Sequence, residues 1–331
     1  ACQQVDPQNQ TEAASMQAAN TQATNAPVSQ PQDNPVAPTG IRIVIVSHGN
    51  PAGSGFWSVV KRGADKAAEH TGVTVDFKAP ETFDVAAMAQ LIDEAVATKP
   101  DGLVVSIPDA DTLGPSIKAA IDAEIPVISM NSGSEAAAKL GELTHVGQSE
   151  YEAGFKAGQR LAQAGVRHGF CVNHEVGNAA LTLRCEGFVD ALLRVDGTVD
   201  PLAIDMTDPA EAKKRVKMAL EAMPQVDGIL VVGSDAAMST LEALKETESL
   251  SRVKLATFDL SPDILAAIEG GKILFAVDQQ QYLQGYLPVM MLSLYLTNAN
   301  TPAAEVFPTG PGFVTRKNAA KVIELSGTGT R

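Results

Sequence analysis

Cysteine, tryptophan and histidine are scarce in this chain, with three, one and five residues among 331. The histidines are scattered, and His174–Glu175 is only an adjacent pair, so metal-ligand spacing is missing and no metal is expected. Basic residues are in deficit, 25 against 39 acidic, for a formal net charge of -14. Phosphate backbones demand a basic stripe, so nucleic acid is not an expected partner. No stretch approaches the ~20 consecutive apolar residues that span a bilayer. Enzyme signatures are also lacking. There is no Walker loop and no nucleophile elbow, and GSGFWS (53–58) holds two of the three glycines of a dinucleotide fingerprint. A Ser/His/Asp set meets only in space and leaves no trace in order or spacing. With no motif in favour of catalysis, neither an enzymatic activity nor a cofactor is expected.

What the chain does contain is one phrase said many times. The β-branched run Ile41 to Val46 stops at polar Ser47, His48, Gly49 and Asn50, then re-emerges past Gly53 and Gly55 as the helical FWSVVKRGADKAAEH. Later runs end in the same way, at Ser106 to Asp111, Asn131, Gln148, Asn173 to Glu175, Asp205, Ser234 to Asp235, Asp259 and Asp278 to Gln279. Between them lie helix-period stretches such as 84–98, apolar at Val85, Met88, Leu91, Ile92 and Ala95. Short continuous apolar runs are strands buried on both faces, and alternation with helices makes the sheet parallel. The predicted class is therefore α/β with two doubly wound parallel-sheet lobes. The second series is predicted to open at the strand Thr144 to Gly147. Gly154 and Gly158, four apart on the next helix, predict a close helix neighbour, and Pro288 predicts a kink in a long helix over 280–298. In open parallel sheets ligands bind outside the carboxyl ends of the strands, so the polar run-ends should converge on one crevice.

Residues 1–40 are of a different material, rich in Gln, Asn, Ala, Thr and Pro and without hydrophobic period, and read as a disordered linker. Cys2 ahead of this polar tether resembles a bacterial lipoprotein after removal of its signal peptide. That resemblance implies a lipid on Cys2, an exported protein and membrane contact only through the anchor. Cys171 and Cys185 fall in a strand and the following helix, 14 positions apart. Export into an oxidising compartment permits a disulfide there, and two buried free thiols remain the alternative.

The crevice residues suit a neutral polyol. Carboxylates (Asp109, Asp111, Asp259, Asp278) accept from hydroxyls in charge-assisted bonds, the amides Asn131 and Gln279 both donate and accept, and Arg184 offers a planar fork of donors. Phe56 and Trp57 can cover the apolar C–H face of a sugar ring, helix-face core packing being the alternative for both. Arg184 falls about one turn into its helix in an apolar surround, with Asp109 and Asp259 available to hold the guanidinium. At these residues the chain resembles the type I periplasmic sugar-binding proteins, the ribose/galactose-binding group that serves ABC importers. The resemblance is carried by SGFWSVVKRGA, VSIPDADTL, IPVISMN, RCEGF, ATFDLSPD and FAVDQQQYLQG, in that order.

That resemblance implies a sugar site built from Phe56, Trp57, Asp109, Asn131, Arg184, Asp259 and Gln279, with Ser54, His48, His174 and Asp278 as further candidates. It implies three hinge crossovers, placed near 131–132, 279–280 and 307–308. One lobe is then 41–131 plus 280–307 and the other 132–279 plus 308–331. The implied protein is a periplasmic or cell-surface monomer that closes on a monosaccharide and is read by the permease subunits of an ABC importer. Ser234 replaces the asparagine of ribose binders, Asp278 adjoins Gln279, and the first loop (HGNPAGSG) is longer. The last two features lean towards a glucose-like hexose, with inositol, ribose and a furanone-type signal as alternatives. A ligand-sensing regulator shares the fold, but residues 1–40 hold neither a helical period nor basic charge.

Overall fold

The run at 41–46 forms β1 (Arg42–Val46), and both of its faces are covered. Ile43 and Ile45 pack into one apolar cluster and Val44 and Val46 into another on the opposite side of the sheet. A central parallel strand has no solvent face, which is why it reads as a continuous apolar run. The computed structural model describes residues 37–53, 55–326 and 329–330, so Cys2 and Ser54 lie outside the described residues.

From β1 the chain continues through α1 (Gly55–Thr71), β2 (Thr74–Lys78), α2 (Val85–Ala97), β3 (Gly102–Val105), α3 (Ala110–Asp122), β4 (Val127–Asn131), α4 (Ala137–Leu140) and β5 (His145–Gly147). The second series is α5 (Glu150–Gln163), β6 (His168–Asn173), α6 (Ala179–Leu193), β7 (Thr198–Ala203), α7 (Pro209–Ala222), β8 (Gly228–Val231), α8 (Ala237–Glu246), β9 (Lys254–Phe258), α9 (Pro262–Glu269) and β10 (Phe275–Asp278). It is followed by α10 (Gln281–Asn298), β11 (Val306–Pro308), β12 (Gly312–Thr315) and α11 (Ala319–Ser326). α10 runs through Pro288 as a single helix.

Two six-stranded sheets result, ordered β11-β5-β4-β3-β1-β2 and β12-β10-β9-β8-β6-β7. Every neighbouring pair is parallel except β10 with β12. This is the α/β class of two doubly wound sheets.

One boundary differs from expectation. Residues 145–147, expected to open the second lobe, pair in parallel with β4 (Ser129 with His145, Asn131 with Gly147) and extend the first sheet. Val146 is buried in the same cluster as Ile128 and Met130. The first passage between sheets therefore follows Gly147, not Asn131. A three-residue strand carries too little pattern to reveal its partner, and pairing with β4 alone decides it.

Two pairs of helices pack closely enough to fix the side chains between the sheets. A Cβ on Gly154 would collide with the Arg184 carbonyl oxygen and one on Gly187 with that of Tyr151, so α5 and α6 pack backbone to backbone. Gly63 and Gly285 do the same for α1 and α10. Cys171 in β6 and Cys185 in α6 form a disulfide with a Cα–Cα distance of 5.7 Å, which ties α6 to the second sheet one residue from Arg184.

Candidate ligand-binding site

Both sheets share the internal order second-first-third-fourth-fifth, so each has a switch point where its first and third strands separate. In the first sheet this is β1/β3, and the loops there are stitched by His48, whose Nδ1 lies 2.8 Å from Ser106 Oγ. In the second it is β6/β8, where the His174 ring lies against Gly233, leaving no room for a Cβ. The loops of both switch points contribute to one cavity. Asn131, Asp259 and Gln279 close it from the ends of β4, β9 and β10, and Phe56 and Trp57 from the start of α1. Trp57 meets the His48 ring edge-on at 4.9 Å and Phe56 at 5.2 Å, and its indole lies on Gly49. Both aromatics also belong to the core cluster behind them, so each lines the cavity and packs in the core at once.

Arg184 is the one guanidinium of the cavity among the described residues, and it is held rigidly. Its Nε donates to Glu150 Oε2 at 2.6 Å, its Nη1 donates to the Val232 carbonyl at 2.7 Å, and its Cζ lies 4.4 Å from the centroid of Phe258. The two charged side chains are 3% and 1% exposed. Gln148 adds a donor to the same Glu150 oxygen at 3.0 Å. Nη2 makes no hydrogen bond among the described residues, which leaves that arm of the fork to whatever fills the cavity. The holding carboxylate is thus Glu150, not Asp109. The close approach of α5 and α6 brings Glu150 there.

Asn131 and Asp259 adopt left-handed backbone, with φ of 65° and 67°. Asn and Asp tolerate that region better than other residues with a Cβ. Here the turn ends each strand and sends the side chain into the cavity. Gln279 Nε2 donates to Asp259 Oδ1 at 2.6 Å, and Gln279 Oε1 accepts from Asn131 Nδ2 at 3.2 Å.

Burial sets the charges. It pushes the Asp259 carboxyl up to about 7, against the pull of Arg184 and Gln279. Asp235 is raised by the same cause. Burial also raises Glu175, but His48, His174, the Asn178 amide and Arg184 together outweigh it and leave this carboxyl below its ordinary range. His48 is lowered by burial despite Glu175 at 3.8 Å, so it stays neutral at neutral pH. Burial works against the Arg184 charge too, yet Glu150 more than offsets it. The wall therefore presents acceptors (Glu175, Asp235, Asp259), a fixed cation and apolar rings.

Of the residues singled out from the sequence, Phe56, Trp57, Asn131, Arg184, Asp259, Gln279, His48 and His174 line the cavity. Asp109 does not: it is the N-cap of α3, its Oδ1 accepting from the Thr112 amide at 2.9 Å. Asp278 is buried beside the cavity, with Oδ1 accepting from the Gln280 amide at 2.9 Å. Glu175 and Asp235 stand in loops that the sequence marks as polar run-ends. Glu150 sits in a helix first turn, where a carboxylate needs no further reason. Its position four residues before Gly154, on the face that approaches α6, is the signal that could have found it.

Residues 44–300 match the sequence family described as periplasmic binding protein domain. The chain is a periplasmic binding protein. This periplasmic binding protein is 24% identical over 294 residues to the xylose/arabinose-binding protein XylF of Sulfolobus acidocaldarius, across 84% of the chain and 71% of that protein. It is 26% identical over 252 residues to the ribose import binding protein RbsB of Salmonella typhimurium, across 74% and 81% respectively. A solved carbohydrate transporter from Acidothermus cellulolyticus 11B, in complex with myo-inositol, is 34% identical with a TM-score of 0.83, covering 88% of this chain and all of that one. Membership makes the protein an extracytoplasmic solute-binding component and not an enzyme.

Proposed function

We propose that the cavity captures a neutral six-membered-ring polyol, a hexopyranose or an inositol, for delivery to an ABC importer. The observation that carries this reading is Arg184, clamped on two nitrogens by Glu150 and Val232 with its third nitrogen left without a partner among the described residues. Around it stand the carboxylates of Glu175, Asp235 and Asp259 and the rings of Phe56 and Trp57. Hydroxyls can donate to the carboxylates and accept from the guanidinium, while the rings cover C–H faces. An anionic sugar would meet three carboxylates and is rejected.

The solved relative holding myo-inositol supports the cyclitol, and the long first loop supports the hexose. Ligand contacts from both sheets favour closure of two lobes over the three crossings, and the permease subunits read the closed monomer. Cys2, ahead of its polar tether, carries the lipid that keeps the protein at the membrane. Native protein should then partition into detergent, and Cys2→Ser should release it.

Calorimetric titration with myo-inositol, D-glucose, D-galactose, D-ribose and glucuronate tests the ligand class, with Trp57 fluorescence as a second readout. Saturable binding of a six-membered neutral ring, with no heat from glucuronate, is expected. Binding of glucuronate alone, or of nothing in the panel at millimolar concentration, would sink the reading.

A further inference from the structure

We infer that Gln284 is a positioning residue, fixing the orientation of the two amides, Asn131 and Gln279, that face the cavity. The inference rests on the polyol reading of that cavity. Gln284 is the fourth residue of α10, is fully buried and does not line the cavity. Its Nε2 donates to the Gln279 carbonyl at 3.2 Å, to Gln279 Oε1 at 3.0 Å and to Thr309 Oγ1 at 3.1 Å. Its Oε1 accepts from Asn131 Nδ2 at 3.2 Å. Thr309 in turn donates through its amide to the Gly147 carbonyl at 2.7 Å. One side chain thus touches or nearly touches all three passages between the sheets.

A carboxamide can be turned end for end at little steric cost, so its direction is set by what its neighbours must have. Two ends of this chain of amides cannot turn. The Gln279 backbone carbonyl only accepts, so Gln284 must face it with its NH2. Gln284 Oε1 then faces Asn131, which must answer with Nδ2. Gln279 Oε1, met by NH2 groups from both Asn131 and Gln284, can only accept, and Gln279 Nε2 is left to donate to Asp259 Oδ1, the second fixed end when ionised. Only this arrangement satisfies both ends. The cavity accordingly receives a Gln279 donor beside an Asp259 acceptor, the pairing a ring hydroxyl needs. Without Gln284 the Gln279 amide loses one of the two donors that hold its oxygen away from Asp259.

The test uses Gln284→Met, which keeps length and removes every hydrogen bond, and Gln284→Glu, which turns the NH2 end into a third acceptor against the Gln279 carbonyl. Each is titrated with myo-inositol and D-glucose, alone and in a Gln279→Ala background, and the ligand-free side-chain amide spectrum is recorded. Both single variants should bind at least tenfold more weakly than wild type, and the loss should shrink to less than threefold once Gln279 is alanine, since coupled residues are not additive. The Asn131 and Gln279 amide resonances should shift in the ligand-free variants. Affinity within twofold of wild type, or an undiminished loss in the Gln279→Ala background, would overturn the inference. If wild type binds neither polyol, the functional reading fails, and unmoved amide resonances would still overturn the role of Gln284. Should Gln284→Met not fold, Thr309→Val, which removes one acceptor of Gln284 together with the hydroxyl's own 3.3 Å bond to the Gly147 carbonyl, should shift the same amide resonances, and their staying in place would equally overturn the inference.

Discussion

Removing the Glu150 carboxylate separates how the site is held from how it binds. In Glu150→Ala the Arg184 guanidinium keeps the Val232 carbonyl and the Phe258 face but loses its 2.6 Å partner at a position almost closed to water. Breaking a buried pair from one side leaves an uncompensated charge and costs about 3–5 kcal/mol. At ~2–4 °C per kcal/mol for a domain of a few hundred residues, the melting temperature should fall by roughly 6–20 °C. The freed cation is then drawn towards Asp259 and Glu175, the remaining carboxylates that act on it. A charged hydrogen bond to ligand is worth ~1.5–3 kcal/mol, so affinity should fall about tenfold to a hundredfold. Glu150→Leu combined with Arg184→Met replaces the pair with apolar groups, and such replacements are often neutral in stability. The double variant should recover most of the lost melting temperature and none of the affinity. Thermal melts and calorimetric titration of myo-inositol and D-glucose read both quantities. A Glu150→Ala protein that melts within ~2 °C of wild type and binds equally well would refute the clamp.

Protonation and redox chemistry give three further expected outcomes. Because the Asp259 carboxyl is pushed up to about 7, it protonates as pH falls through that value and offers ligand hydroxyls a weaker, uncharged acceptor, so affinity should drop from pH 8 to pH 6; in Asp259→Asn that slope should flatten, and an unchanged slope by titration calorimetry would count against the assignment. The Glu142 carboxyl is buried beside Ser129, and burial pushes it from 4.5 to about 7 against the hydrogen-bonding pull of Ser129. The folded state therefore binds more protons between those values, stability falls as pH rises through the window and stays reduced above it, and Glu142→Gln should be more stable than wild type by about 3 kcal/mol at pH 8 and equal at pH 4 in urea melts. Thiol titration of the unfolded, unreduced protein should find neither Cys171 nor Cys185 free, and reduction should lower stability by ~3 kcal/mol on chain-entropy grounds for a loop of this size; two titratable thiols at these positions would exclude the bond.

Much of the protein is determined by local pattern. A strand covered on both faces must be apolar throughout, so Ile41 to Val46 and its repeats declare a parallel sheet, and their polar ends declare where the loops meet. Asn131 and Asp259 stand at strand ends because few other residues with a Cβ accept left-handed backbone there. The strand-end residues His48, Asn131, His174, Asp259 and Gln279 follow from that pattern, whereas Phe56, Trp57 and Arg184 stand on helices and are implied by the family resemblance. What the sequence could not decide is whatever depends on a distant partner. β5 is three residues long and belongs to the first sheet only because β4 offers it a ladder. Asp109, the same residue type in the same kind of loop as Asp259, turns back onto its own helix to cap α3 because the helix has an amide to satisfy. Glu150 and Arg184, 34 residues apart, meet because glycines let two helices close to backbone contact, and Gln284 reaches the site only through α10 packing back onto the first sheet. Local composition cannot carry such pairings, since each is the property of two surfaces and becomes real only when tertiary packing brings them together.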